Sequence, residues 1–337
     1  MSTQKITSME VAKLAGVSQS AVSRVFTPGA SSSKKTNELV RKAAAELGYR
    51  PNVLARSLIT GKSRMIGLVV AYLDNYFYPE ALELLSSALQ KKGYHVLIFM
   101  SGNKEGDIAD AVDEILDYQV DGIIAASVSM SSDLAKRCTS AGVPVVLFNR
   151  TQDDDRLSAV TSDNFQGGQK VARFLLAGGH KRIGYIAGWE GASTQRDREK
   201  GFTEELVRNG QELYAREVGN FNSDEARQAA RTMFSKQNFP DAVFVANDAM
   251  AIAVIDVIRF ELGLQVPEQV SVVGYDDVPI SSWPAYDLTT VRQPANRMVA
   301  ETVSILIESI ENKSNEPSRI KLDGPLIIRG SAKISYN

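Results

Sequence analysis

Hydrophobic and polar positions alternate along this chain with two different periods. Over residues 5–50 the apolar positions recur every three or four residues, the period of helices that bury one stripe. Thr7 and Glu10 form a capping-box signature ahead of a stripe made by Val11, Leu14 and Ala15. Gly16 supplies the positive φ that closes a helix. Ser18 is placed to cap a second short helix whose Ala21, Val22 and Val25 return to the first. A Ser-, Pro- and Gly-containing loop runs from Phe26 to Ser33. Ser33 then caps a third helix to about Leu47, with Leu39, Val40, Ala43, Ala44 and Leu47 inward and Gly48 ending it. In residues 51–63, Pro51 starts a short helix with Asn52 as cap. Ala55 and Leu58 sit three apart on one side of it, with Arg56 between them.

From Met65 onward, apolar runs of strand length alternate with amphipathic helices. The predicted strands are Ile66–Ala71, Val96–Met100, Gly122–Ala126, Val143–Phe148, Ala159–Thr161, Arg182–Ala187, Ala242–Ala246 and Ser271–Gly274. The predicted helices lie near Pro79–Lys92, Asp107–Tyr118, Asp133–Ala141, Gln166–Ala177, Gln195–Asn209, Ser223–Lys236 and Ala249–Leu262. Such alternation implies parallel, doubly wound sheets with helices on both faces. More than a dozen elements exceed one compact sheet, so two α/β lobes are expected, with a first crossing at Asp163-Asn164. Ligands of such folds sit at the carboxyl ends of the strands, here between the lobes.

The stretch from Lys5 to Phe26 reads as a helix-turn-helix. Its open face carries Ser18, Gln19, Ser20, Ser23 and Arg24, the hydroxyl, amide and guanidinium groups that meet phosphates and base edges. A plain helical hairpin with a polar outer face is the alternative. Charge favours the first reading: residues 1–63 hold ten Lys/Arg against three acids, +7, while the whole chain is −2 and the remainder therefore −9. A basic head on an acidic body is the footprint of a nucleic-acid binder with a separate sensing or catalytic body. Lys34 and Lys35 suit phosphates. The short helix after Pro51 is marginal alone. It is expected to order on DNA and push Leu58 between base steps of the minor groove; a linker whose Leu58 packs on the body is the other reading.

Other classes fit less well. No apolar run approaches the roughly 18 residues of a membrane span, and the N-terminus lacks an apolar signal core, so a cytoplasmic, nucleoid-associated protein is expected. The lone Cys138 forms no internal disulfide, and two histidines argue against a transition-metal site. No G-x-G-x-x-G or G-x-S-x-G occurs, and Thr60-Gly61-Lys62-Ser63 lacks the upstream glycine of a phosphate loop. Neither an enzyme nor a resident cofactor is expected. A cytoplasmic sugar-binding protein or sugar-processing enzyme with an accessory helical head is the competing reading.

Several blocks in one order, EVAKLAGVSQSAVSRV, ELGYRPNVLARSL, VTSDNFQGG, GGHKRIGYIAG, FVANDAMAIA, VSVVGYDDVP and LTTVRQP, closely resemble the LacI/GalR family of bacterial transcription regulators. The resemblance spans nearly the whole chain. It implies a helix-turn-helix headpiece (1–50), a hinge helix and linker (51–63), and a core of the type I periplasmic-binding-protein kind. The core lobes would be 64–161 with 292–323 and 162–291 with 324–337, with later crossings near Thr290–Gln293 and Asp323–Gly324. It also implies a homodimer on near-palindromic operator DNA and a small-molecule effector, a sugar, polyol or sugar acid by family default. That effector releases DNA or, in corepressor-dependent members, strengthens its binding. No heptad-bearing helix ends the sequence, so a tetramer is not expected.

For DNA, Thr7, Ser18, Gln19, Ser20, Ser23, Arg24 and Ser33 match headpiece contact positions; Gln19 and Ser20 fall at the two that vary with operator sequence. Leu58 matches the intercalating leucine, with Asn52, Ala55 and Arg56 beside it. For the effector, Arg198, Asp276 and Asn247 match polar groups and Phe221 an aromatic platform. Asn149 falls where a family member has a ligand-binding acid. Tyr76-Phe77-Tyr78, after the first strand, departs from the family pattern; Tyr76 and Phe77 are the candidates on that first-lobe wall. Phe221 as core, and Arg198 with Asp276 as a structural ion pair, are the bland readings. Asp163 and Asp248 are expected to cap helices, and His180 to organise a turn.

Overall fold

The computed structural model describes residues 6–27, 30–50, 61–71, 73–101, 105–128, 130–152, 155–235, 237–312 and 316–334. The chain forms two compact units, Met1–Ser63 and Arg64–Asn337.

The first unit holds α1 (Ser8–Ala15), α2 (Gln19–Phe26) and α3 (Lys34–Leu47). The capping box forms: Glu10 Oε2 accepts from Thr7 N–H at 2.7 Å. Gly16 stands at φ +65° where α1 must turn sharply into α2. Ser18 and Ser33 each accept from the backbone N–H three residues on. Val11, Val22 and Val40, one per helix, are fully buried at the centre of this small core. Two predicted core positions are corrected. Leu14 and Leu39 are exposed at 48% and 42%, and Ala12 takes the inward place beside Val11 and Ala15. Three short helices meet at close range, and small side chains at the contact allow it. Asn52, Ala55, Arg56 and Leu58 lie outside the described residues.

The second unit contains β1 (Met65–Val70), α4 (Phe77–Lys91), β2 (His95–Met100), α5 (Glu105–Asp117), β3 (Gly122–Ala126), α6 (Ser132–Ser140), β4 (Val145–Phe148) and β5 (Ser158–Ser162). It continues with α7 (Asn164–Ala177), β6 (Ile183–Ala187), α8 (Ser193–Arg208), β7 (Ala215–Val218), α9 (Ser223–Phe234), β8 (Ala242–Val245), α10 (Asp248–Asp256) and β9 (Ser271–Asp276). It closes with β10 (Thr289–Arg292), α11 (Ala295–Asn312), β11 (Arg319–Leu322) and β12 (Leu326–Ile327).

Two six-stranded sheets result, in the orders β11-β5-β4-β3-β1-β2 and β12-β10-β9-β8-β6-β7. All pairs are parallel except β10 with β12. Helices cover both faces, so β3, β6 and β8 are buried at every residue and read as unbroken apolar runs. The chain passes to the second sheet after β5, returns to the first with α11 and β11, and ends in the second with β12. Each lobe is therefore completed by distant sequence.

α7 and α8 pack at backbone distance: a Cβ on Gly168 would lie 2.1 Å from the Arg198 carbonyl oxygen, and one on Gly201 would lie 2.0 Å from that of Phe165. The predicted helix over Ala249–Leu262 is not regular. After Asp256 it widens to an i→i+5 turn, with Leu262 N–H donating to Val257 at 3.0 Å. Among the described residues no helix is long and apolar enough to cross a membrane.

Candidate nucleic-acid interface and candidate effector cleft

On the first unit, Ser18, Gln19, Ser20, Ser23 and Arg24 all face outward. They do so because Val22 and Val25 supply the buried side of α2. The row is partly organised before any contact. Ser18 Oγ and Ser20 Oγ are 2.9 Å apart, Gln19 Nε2 donates to Ser8 Oγ at 2.9 Å, and Arg24 Nε reaches Ser20 O at 3.4 Å. Thr7 and Ser33 are exposed at the starts of α1 and α3, where backbone N–H groups favour anions.

On the second unit, a small, partly open cleft lies where the carboxyl ends of the two sheets' strands meet, the place where ligands of open α/β sheets sit. Its first-lobe wall comes from Asn75 and Tyr78 after β1, Ser127 after β3, and Asn149 with Arg150 after β4. The second lobe contributes Thr194 and Arg198 on α8, Phe221 after β7, and Asp276 at the end of β9.

Arg198 is buried and held on every side. Its Nε donates to Asn164 Oδ1 at 2.8 Å, Nη1 to the Ala246 carbonyl at 2.6 Å, and Nη2 to Asp276 Oδ1 at 3.4 Å. Its guanidinium lies 3.6 Å from the centre of the Tyr275 ring. Asp276 also accepts from Gln293 Nε2 at 2.7 Å and Asn75 Nδ2 at 3.5 Å. Burial raises the Asp276 pKa to about 7; Arg198 pulls it down, and buried Asp248 pushes it further up. Asn149 donates through Nδ2 to Tyr78 Oη at 2.8 Å. Asn149 Oδ1 and Ser127 Oγ are buried without a hydrogen-bond partner among the described residues, which an interior disfavours unless something else pairs with them.

The cleft also concentrates backbone strain. Ser127, Asn149, Phe221 and Asp276 have φ of +64°, +70°, +58° and +123°, a region that costs non-glycine residues energy and is typical of ligand sites. Phe221 is held there by its ring lying on Gly188, where a Cβ would sit 2.2 Å from ring carbon. Arg150 stacks over Trp189 at 5.5 Å.

Of the predicted effector residues, Asn149, Arg198, Phe221 and Asp276 converge on the cleft. Tyr76 and Phe77 do not line it. Tyr76 is half exposed, and Phe77 is 2% exposed, stacked on Phe148 at 6.2 Å in the first-lobe core. One turn of α4 instead aims Tyr78 inward, with Asn75 just before the helix. Asn247 is not in the lining either: its Oδ1 caps α10 through Met250 N–H at 3.0 Å, while Nδ2 is buried without a partner among the described residues. The cap expected of Asp248 thus belongs to Asn247. Asp248 is a buried hub, accepting from Val278 N, Ser281 Oγ and Thr290 Oγ1 at 3.0, 2.7 and 2.6 Å. Asp163 does cap α7, through Gln166 N–H. His180 pairs with Asp241 at 3.2 Å at the entry to β6, as a turn organiser would. Among the described residues no cluster of three His, Cys, Asp or Glu could hold a metal.

A helix-turn-helix unit with a polar open face, followed by two α/β lobes around a polar cleft, defines a ligand-responsive DNA-binding regulator. Comparison with known proteins agrees. Residues 7–52 match the model for bacterial regulatory proteins of the lacI family, and residues 172–332 match the periplasmic binding protein-like domain. The chain is 31% identical over 329 residues to the HTH-type transcriptional repressor PurR of Pasteurella multocida (strain Pm70), covering 96% of this chain and 98% of that protein. It is 32% identical over 330 residues to the HTH-type transcriptional regulator CelR of Thermobifida fusca, covering 95% and 96%. The chain belongs to the lacI family of bacterial regulatory proteins. Among solved structures, the lac repressor dimer bound to operator and the anti-inducer ONPF superposes with a TM-score of 0.88 at 28% identity, covering 97% of this chain and 99% of that one. A CelR–cellobiose complex gives 0.73 at 31% identity, covering 97% and 100%.

Proposed function

We propose that this protein is a cytoplasmic transcriptional repressor that binds a near-palindromic operator as a homodimer and leaves it when a hydroxyl-rich effector occupies the cleft. The headpiece (1–50) reads one half-site, the segment 51–63 is the hinge, and the lobes (64–161 with 292–323; 162–291 with 324–337) sense the ligand. Asn52, Ala55, Arg56 and Leu58 act at the minor groove, and Thr7, Ser33 and the α2 row act at phosphates and the major groove. One headpiece spans half a two-fold site, so two copies are needed for a complete one.

The observation that carries the effector reading is the unpaired polar lining beside an aromatic ring. Asn149 Oδ1 and Ser127 Oγ call for partners, and Phe221 offers a flat face. A sugar, polyol or sugar acid presents hydroxyl donors on one edge and C–H groups on one face, matching both. Binding between lobes favours a closed core; the operator-bound state loses population by the ratio of effector affinities for the two states. The CelR–cellobiose complex is a relative with a sugar in place.

The test has two arms. Purified protein should retard its own promoter DNA in preference to random duplex, with affinity falling steeply as salt rises. A melting screen against sugars, sugar acids and nucleobases should then give a stabilising ligand that releases that complex. Equal binding to any duplex refutes the repressor reading, and a ligand that tightens the complex refutes induction in favour of corepression.

A further inference from the structure

Within the outward row of α2, three of the polar side chains are already committed to one another or to the backbone. Ser18 Oγ caps α2 through Ala21 N–H at 3.3 Å and lies 2.9 Å from Ser20 Oγ. Arg24 Nε is drawn to Ser20 O. Gln19 differs: its carboxamide is pinned from another helix, with Nε2 donating to Ser8 Oγ on α1 at 2.9 Å. A free glutamine has several rotatable bonds to freeze before it can read a base. This one is held by a hydroxyl eleven residues earlier.

The chemistry left over is specific. A carboxamide has one acceptor oxygen and two N–H donors. With one N–H given to Ser8, one N–H and Oε1 remain. An acceptor beside a donor complements adenine, whose N6–H donates and N7 accepts in the major groove; guanine offers two acceptors there. Resting on the DNA-binding reading above, we propose that Ser8 is a positioning residue for Gln19 and that the pair selects an A·T base pair at one position of each half-site. In this reading Ser8 acts through Gln19 and not on a base. It sits in the first turn of α1, outside the turn-and-second-helix stretch where readers are sought, and acts by fixing the orientation of the group that does.

The experiment uses full-length protein. Wild type first selects its preferred site from duplexes with randomised, symmetric half-sites. Wild type, Ser8→Ala, Ser8→Thr and Gln19→Ala are then titrated against that duplex, against versions with each half-site base pair substituted symmetrically, and against random duplex, all at one salt concentration. The expected result is an A·T pair whose discrimination vanishes in Gln19→Ala. Ser8→Ala should weaken discrimination at that pair about 2- to 10-fold, the worth of one hydrogen bond. Discrimination at other pairs and binding to random duplex should stay unchanged, and Ser8→Thr, which keeps the hydroxyl, should restore wild-type behaviour. Unchanged discrimination in Ser8→Ala overturns the proposal. So does a loss spread evenly over all pairs, which would mean a misfolded headpiece, or a selected pair at the Gln19-dependent position other than A·T. No preference by wild type for any duplex would instead overturn the DNA-binding reading itself, and the two failures are thereby distinguished.

Discussion

Replacing Gly168 by alanine tests whether the fold and the cleft share one contact. The added Cβ would meet the Arg198 carbonyl oxygen at 2.1 Å and the Phe202 nitrogen at 2.9 Å, where ordinary contacts begin near 3.4 Å. Both obstacles are backbone of α8, so no side chain can swing aside; the helices must part by more than an ångström. Alanine gains about 1 kcal/mol over glycine in a helix interior, while forced overpacking costs about 1–3 kcal/mol and occasionally more. With a backbone obstacle the cost falls at the upper end, and a net loss of about 2 kcal/mol follows. For a domain of this size that lowers the melting temperature by roughly 4–8 °C. The residue displaced is Arg198, whose bonds to Asn164 and Asp276 fix the cleft. Affinity for the sugar that shifts the wild-type melt should fall about tenfold or more, the worth of one charge-assisted hydrogen bond. Differential scanning fluorimetry and titration calorimetry read the two effects, with Gln166→Ala, an exposed site on the same helix, as a control expected within about 0.5 kcal/mol of wild type. A Gly168→Ala protein that melts at or above wild type and binds ligand normally would refute the reasoning.

Arg198→Ala should abolish the effector response and destabilise the core more at pH 8 than at pH 6, because the stranded Asp276 can take up a proton at the lower pH; paired urea titrations measure this. In wild type, Asp276 titrates near 7 when folded against about 3.9 unfolded, so its stabilising protonation is complete below pH 4 and is lost as pH rises through 7. Asp276→Asn should accordingly flatten the decline of stability between about pH 4 and 7, and an unchanged slope would contradict the assignment. Val40→Ala removes two methyl groups from the fully buried centre of the headpiece. It should cost about 2 kcal/mol, enough in so small a core to abolish DNA retardation while leaving ligand-induced stabilisation intact.

The two-lobed plan was readable wherever strands are buried on both faces. β3, β6 and β8 carry no polar interruption, and their bounds in the sequence and in the structure agree closely. β7, with sequence AREV, and β11, with RIKL, escaped because edge strands expose one side and carry charge. β10, with sequence TTVR, offers no apolar run, and β12 is only two residues long. α11 is absent from the expected elements although Met298, Val299, Thr302, Val303 and Leu306 form a helical stripe; strand–helix alternation ending at Gly274 leaves no slot for it. In the cleft, Arg198, Phe221, Asn149 and Asp276 came from resemblance to a family. Ser127 and Thr194 had no such pointer, since they meet the others only when two sheets present their strand ends to one space. A signal did exist: Ser127 and Asn149 are the first polar residues after the unbroken runs GIIAA and VVLF.

The to-and-fro threading of the lobes has a consequence for biosynthesis. β5 leaves the ribosome long before its neighbour β11, which lies on the far side of the whole second sheet. At 5–20 residues per second that interval is on the order of 10–30 s. Throughout it, the nascent first lobe presents an unpaired strand and the bare surface that α11 will cover. Newly made chains should therefore be the form most in need of chaperone shelter. A gene cut between the lobes should yield insoluble fragments rather than two independent modules.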